Sequence, residues 1–172
     1  MGKRTRIIND PSDLVPLLQA FGSDIHKRVF DELCEDWRTK NDLLEIIKND
    51  RGVNKSLDLL KKSGLVETKW KMPEPGKSPE KEYHSSYSRV QANFLCPMKD
   101  LSELIYLTFM SDEEIREITE KIENCVAEGN TSLNNLSREL NLSQTFIKGA
   151  SKRSERLNVR GQRVEFTNEK DI

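Results

Sequence analysis

Apolar residues recur along most of this chain at the three- and four-residue spacing of amphipathic helices, interrupted by two stretches that suit strands. Pro11-Ser12-Asp13 opens a first helix, with Ser12 or Asp13 as its cap and Pro16 in the first turn, where a missing N–H costs little. Phe21-Gly22-Ser23 breaks the chain. Ser23 caps a second helix that runs to about Glu35 on a stripe of Ile25, Val29, Phe30 and Leu33. Thr39, with Asp42 three residues on, forms a capping box for a third helix, whose core face is Leu43, Leu44, Ile46 and Ile47. Asn49-Asp50-Arg51-Gly52 reads as a turn with Gly52 at positive φ, and residues 53–63 form a helix that Gly64 stops. Residues 65–72 suit a strand. Residues 73–81 hold three prolines and a glycine, which excludes helix and central strand. Extended chain resumes over 82–94, giving strand, long polar loop, strand.

Beyond residue 97 the helical period returns. Residues 98–110 form an apolar-faced helix, and Ser111-Asp112-Glu113-Glu114 is a capping box for a long one to Glu128, with Ile115, Ile118, Ile122, Cys125 and Val126 inward. Gly129 ends it. Thr131 or Ser132 caps a short helix through Leu133, Leu136 and Leu140, and another runs from Ser143 to about Leu157. Residues 159–166 suit a small hairpin with Gly161-Gln162 at its tip. The fold class expected is mainly α with small β hairpins (α+β). Helix, helix, turn, helix, strand, loop, strand is the order of a winged helix-turn-helix, which residues 10–97 would form. Residues 98–129 would connect and dimerise, and 130–167 would make a second, smaller helix-turn-helix.

Charge sharpens this picture. The net charge of −1 conceals two basic islands: residues 51–71 carry +4 and 130–163 carry +5, between segments of −5 (10–50) and −6 (98–129). Two catalytic possibilities fall away, because the chain has no G-x-S-x-G and no phosphate-cradling glycine loop. No enzyme activity is expected. Cys34, Cys96 and Cys125 are widely spaced and odd in number, which argues against a disulfide framework and a structural zinc site. His26 and His84 read as structural or surface residues. No metal or other cofactor is expected. The apolar run 104–110 is too short to span a membrane, and no signal core follows the basic N-terminus, so a cytoplasmic protein is expected.

The basic islands acquire direction when placed on helices. At 100° per residue, Val53, Leu57 and Leu60 share one side of their helix, Lys55 and Lys62 lie opposite, and Asn54, Asp58 and Lys61 fall between. Any surface helix has lysines opposite its core. The hairpin that follows, with Lys77 and Lys81 near its tip, is what turns this face toward a DNA groove. In the second island Phe146, Ile147, Ala150 and Leu157 face inward. Thr145, Lys148 and Lys152 lie opposite with Arg156 beside them, Gln144 sits at the helix start, and Arg153, Arg160 and Arg163 add charge. The alternative for that island is a surface for solubility or for an acidic protein. Leu101, Leu104, Ile105, Leu107 and Phe109 either form a dimer face or fill the core.

The region from Leu17 to Phe94 resembles the ArsR-like winged-helix regulators, their archaeal branch in particular. The segments that carry the resemblance are 24–35, 39–49 and 53–63, the junction Lys61-Lys62-Ser63-Gly64-Leu65-Val66, and the wing Met72-Pro73-Glu74-Pro75-Gly76-Lys77 with Glu82-Tyr83-His84. The ending from Lys152 to Arg163 also resembles archaeal proteins of this type, and the resemblance as a whole extends to the euryarchaeal activators of archaellum genes. The resemblance implies a homodimer on promoter DNA. Many relatives sense metals through a Cys-x-Cys pair on the first helix of the helix-turn-helix; here that helix reads Thr39-Lys40-Asn41-Asp42-Leu43-Leu44-Glu45, so metal sensing is not expected. The expectation is a sequence-specific, double-stranded-DNA-binding transcriptional regulator. The alternatives are an adaptor that binds the transcription machinery and an RNA-binding factor.

Overall fold

The computed structural model describes residues 4–73, 75–76 and 78–167. The chain forms two compact units, residues 1–7 with 19–92 and residues 8–18 with 93–172. It is an α+β protein.

The first unit contains most of β1 (Thr5–Ile8), the end of α1 (Leu14–Phe21), then α2 (Asp24–Glu35), β2 (Arg38–Thr39), α3 (Lys40–Ile47), α4 (Asp50–Lys62), β3 (Val66–Lys71), β4 (Glu80–Ser85) and β5 (Arg89–Ala92). Two of the expected caps are present here. Ser23 accepts from the His26 N–H, and Thr39 and Asp42 form the reciprocal capping box. Val29, Leu33, Leu43, Ile47, Val53, Leu57, Leu60, Leu65 and Val66 are buried, so α2, α3 and α4 turn their apolar stripes inward. Ile46, expected on the core face, is 41% exposed; α3 is two turns long and buries Leu43 and Ile47, four residues apart. Strands β2, β4 and β3 make an antiparallel sheet in that order, with Thr68 opposite Tyr83 and Trp70 opposite Lys81. Strand β5 leaves this sheet and pairs with β1.

The second unit holds a 3-10 turn (Pro11–Asp13), α5 (Met98–Phe109), α6 (Asp112–Ala127), α7 (Leu133–Leu140), α8 (Gln144–Arg153), β6 (Leu157–Arg160) and β7 (Arg163–Phe166). The cap of the 3-10 turn is Asp10, not Ser12 or Asp13: its Oδ1 accepts from the Ser12 N–H at 2.9 Å and from the Ser12 hydroxyl at 2.7 Å. Ser111 and Glu114 form the expected capping box of α6. The core gathers Val15, Leu104, Leu107, Ile115, Ile122, Leu133, Leu136, Phe146, Ile147, Ala150, Leu157 and Val164. The small hairpin is present, with Gly161 at φ +59° at its tip.

The two units repeat one order of elements. In the first it is α2, β2, α3, α4, β3, β4. In the second, α6 is followed by an extended Thr131-Ser132, then α7, α8, β6 and β7. Ser132 bridges Arg163, and the Val164 N–H donates to the Thr131 carbonyl at 2.9 Å, so β7 is central as β4 is. The turns inside the helix pairs match as well: Lys48 after α3 and Asn141 after α7 both take left-handed backbone, at φ 57° and 53°.

Candidate nucleic-acid interface

The α3–α4 turn places the candidate face. Its residue at positive φ is Lys48, not Gly52. Asn49 then caps α4, accepting from the Gly52 N–H at 2.8 Å, so the helix starts at Asp50, three residues before the expected Val53. Gly52 is helical, and its need for glycine is steric: a Cβ there would lie 2.9 Å from Ile25 Cγ2 on α2. The earlier start brings in a residue that sequence reasoning assigned to a turn. Arg51 falls with Lys55, Asp58 and Lys62 inside an arc of about 60° opposite Val53. All four are exposed, as is Lys61 on the shoulder. Asn54 is half-buried, and its Nδ2 donates to Asp50 Oδ2 at 3.1 Å.

This helix is held to α2 by a short polar contact. The Ser56 hydroxyl donates to the Gly52 carbonyl at 2.7 Å, which leaves its oxygen to accept from His26 Nδ1 at 2.5 Å. Burial lowers the His26 pKa, and the Lys55 ammonium lowers it further. The neutral ring is therefore favoured in the fold. The unfolded chain takes up its proton near pH 6.5, so this contribution is present above that pH and is lost as pH falls toward the lower folded value. Two outcomes are expected. The loss of stability below pH 6.5 is shallower in His26→Asn, measured by urea unfolding across pH. Lys55→Ala raises the His26 titration midpoint, followed by NMR; a midpoint that does not move contradicts this account.

The β3–β4 hairpin has two unlike faces. On one, Glu82 pairs with Lys69 at 3.5 Å and Lys71 at 3.9 Å, and the Lys69 ammonium lies 3.9 Å from the centre of the Trp37 ring, which stacks on His84. The other face carries Thr68, Trp70, Lys81 and Tyr83, of which all but Tyr83 are exposed. Burial pushes the Tyr83 phenol up, and the Asp58 carboxylate of α4 adds to the shift. Lys77 lies outside the described residues.

In the second unit the cations are engaged differently. Helix α8 ends at Arg153, four residues short of the expected Leu157, because Leu157 opens β6 and Arg156 lies in the turn between them. Lys148 reaches Asp10 Oδ2 at 2.6 Å, and Lys152 pairs with Asp13. Burial works to raise the Asp10 pKa, but hydrogen bonds from Lys148 and Ser12 overcome it and hold the carboxyl at about 2. Arg153, with its side chain 6% exposed, donates to the Leu107 and Met110 carbonyls at 3.0 and 2.8 Å and pairs with Asp112. Arg156 meets Glu123 at 2.9 Å. Gln144 is exposed at the start of α8, Thr145 is half-buried, and Arg160 and Arg163 flank the exposed hairpin tip. The structure thus gathers Lys55, Lys61, Lys62 and Arg51 on one exposed helix, and ties Lys148, Lys152, Arg153 and Arg156 to carboxylates.

The cysteines differ from one another: Cys34 is exposed, Cys96 is intermediate and Cys125 is buried. Desolvation raises the pKa of both thiols, through burial at Cys125 and through the neighbours that crowd the sulfur at the otherwise exposed Cys34, which keeps them protonated. Among the described residues no cluster of His, Cys, Asp or Glu is arranged to hold a metal ion, and no helix is long and apolar enough to cross a membrane. No curated protein matches this chain. The sequence model of one family, described as ArsR transcriptional regulator, matches residues 8–168.

Proposed function

Because the chain belongs to the ArsR transcriptional regulator family, we propose that it binds double-stranded promoter DNA in a sequence-specific way, as a homodimer. The observation that carries the reading is the exposed Arg51, Lys55, Lys61 and Lys62 on α4, a helix that follows a left-handed turn and precedes a β hairpin. This is the arrangement in which a winged helix presents its recognition helix to the major groove. Arg51 sits in the first turn, where base-edge contacts concentrate. Lys81 serves a phosphate beside the helix. The repeated element order supports a second winged helix over α6–β7, with Gln144, Thr145, Arg160 and Arg163 as its outward polar groups. Lys148, Lys152, Arg153 and Arg156 hold that unit together in this reading. The wing and the ending from Lys152 to Arg163 support a place in the archaeal branch.

Helix α5 supplies the dimer face. Leu104 and Leu107 are buried in the second unit, while Met98, Ile105, Tyr106 and Phe109 are 80%, 43%, 65% and 58% exposed, an apolar stripe with helical spacing. Pairing two copies through it would match a palindromic site.

Selection of bound duplexes from a random pool at two salt concentrations tests the reading. The expected outcome is an enriched palindrome whose half-sites are separated by about one helical turn or a multiple of it. No enrichment, with binding that vanishes as salt rises, overturns sequence-specific recognition and favours an adaptor that docks on the transcription machinery.

A further inference from the structure

We propose that Trp70 and Lys81 form a minor-groove contact on the wing, the indole against the deoxyribose edges of the groove and the ammonium at a flanking phosphate. The inference rests on the duplex-DNA reading above and adds a binding residue to it. Trp70 is 65% exposed on β3, where a large aromatic has no folding reason to remain in water. The sheet register places Lys81 directly across from it, and the ammonium stands 5.1 Å from the ring centre. Two residues on from Trp70, Met72 is 88% exposed.

Three features select DNA as the occupant. The opposite face of the hairpin is charge-compensated, since Glu82 serves both Lys69 and Lys71, whereas the Trp70 face carries Lys81. An apolar ring beside a cation fits a surface of sugar edges bounded by phosphates. The face is also continuous with the α4 surface. Tyr83, two residues from Lys81 on the same strand face, is close enough to Asp58 for that carboxylate to act on its phenol. Asp58 lies in the arc of Arg51, Lys55 and Lys62. Helix and wing would therefore meet one duplex side by side.

The chain has two tryptophans, so fluorescence resolves the contact. A pool of random-sequence duplexes at low salt is titrated into the full-length protein, with fluorophore anisotropy on the DNA reporting binding. Emission from wild type and from Trp37→Phe should change along the binding curve. Trp70→Phe, which keeps Trp37, should show no such change. Trp70→Ala should weaken binding about tenfold with an unchanged salt slope, because no charge is lost, and Trp70→Phe should recover most of the affinity. Lys81→Ala should instead lower the salt slope by about one. A minor-groove polyamide ligand should abolish the Trp70 signal. Duplex binding with a silent Trp70 and full affinity in Trp70→Ala overturns this inference and leaves the α4 reading standing. A Trp70 signal that survives the polyamide overturns the groove assignment. Absence of duplex binding by the wild-type protein overturns both.

Discussion

Lys55→Ala combined with Lys62→Ala weakens duplex binding about a hundredfold at moderate salt and lowers the slope of log affinity against log salt by about two. Both side chains are exposed on α4, so the melting temperature moves little. Adding Arg51→Ala removes a third contact at the helix start and relaxes whatever base preference the selection reveals, because an arginine reads a guanine edge in a way a lysine at a phosphate does not. The informative contrast is Lys148→Ala with Lys152→Ala. Those ammonium groups pair with Asp10 and Asp13, and their side chains are 17% and 25% exposed. Their loss leaves a partly buried Asp10 carboxylate without its partner, so the expected result is a less stable second unit with duplex affinity intact. Below about pH 3.8 the penalty shrinks: the wild-type pair loses its stabilisation as pH falls toward 2, and the variant, left with only the Ser12 hydrogen bonds to Asp10, has less to lose. Unchanged affinity in the α4 variant sinks the recognition-helix assignment. A fall in affinity with stability retained in the Lys148/Lys152 variant moves DNA contact to α8.

The contrast shows what a sequence holds and what it omits. Capping residues act on their own helix within three positions, and Ser23, Thr39 with Asp42, and Ser111 with Glu114 were legible for that reason. So were Gly64, Gly129 and Gly161, all at positive φ. The helical period correctly put Lys55 and Lys62 opposite Val53. It also put Lys148 and Lys152 opposite a core stripe, and here the period fell short: a face opposite the core is solvent only if nothing else covers it. The covering residues, Asp10 and Asp13, are 138 and 139 positions away. The same limit hid β1 and the two-residue β2, whose partners are strands β5 and β4. Asn-Asp-Arg-Gly is turn-like by composition, but the Asn49 cap and the closeness of Ile25 to Gly52 make it a helix start, which concealed Arg51. Trp70 is not legible as a contact residue, because alternation in a strand does not say which face is left in water.

Gly149→Ala is expected to destabilise the second unit by about 1–2 kcal/mol, although alanine is the better helix former by about 1 kcal/mol. Gly149 lies in α8 where the helix crosses α5, and a Cβ built there would stand 2.6 Å from Cδ2 of both Leu104 and Leu107 and 3.4 Å from Val15 Cγ2. A leucine methyl on the surface would swing aside at little cost. These two cannot, because both leucines are wholly buried in a packed core. The overpacking cost therefore exceeds the propensity gain, and the melting temperature should fall by roughly 4–10 °C. Gly149→Val, which is larger and β-branched, should cost more. The decisive measurement is the double variant Gly149→Ala with Leu107→Ala. Leu107→Ala alone opens a cavity and costs about 2–5 kcal/mol, but that cavity lies where the new methyl needs room. The two losses should then sum to more than the double variant shows, by about 1 kcal/mol or more. Additive losses, or a Gly149→Ala protein more stable than the parent, would mean that α5 and α8 do not cross at this glycine.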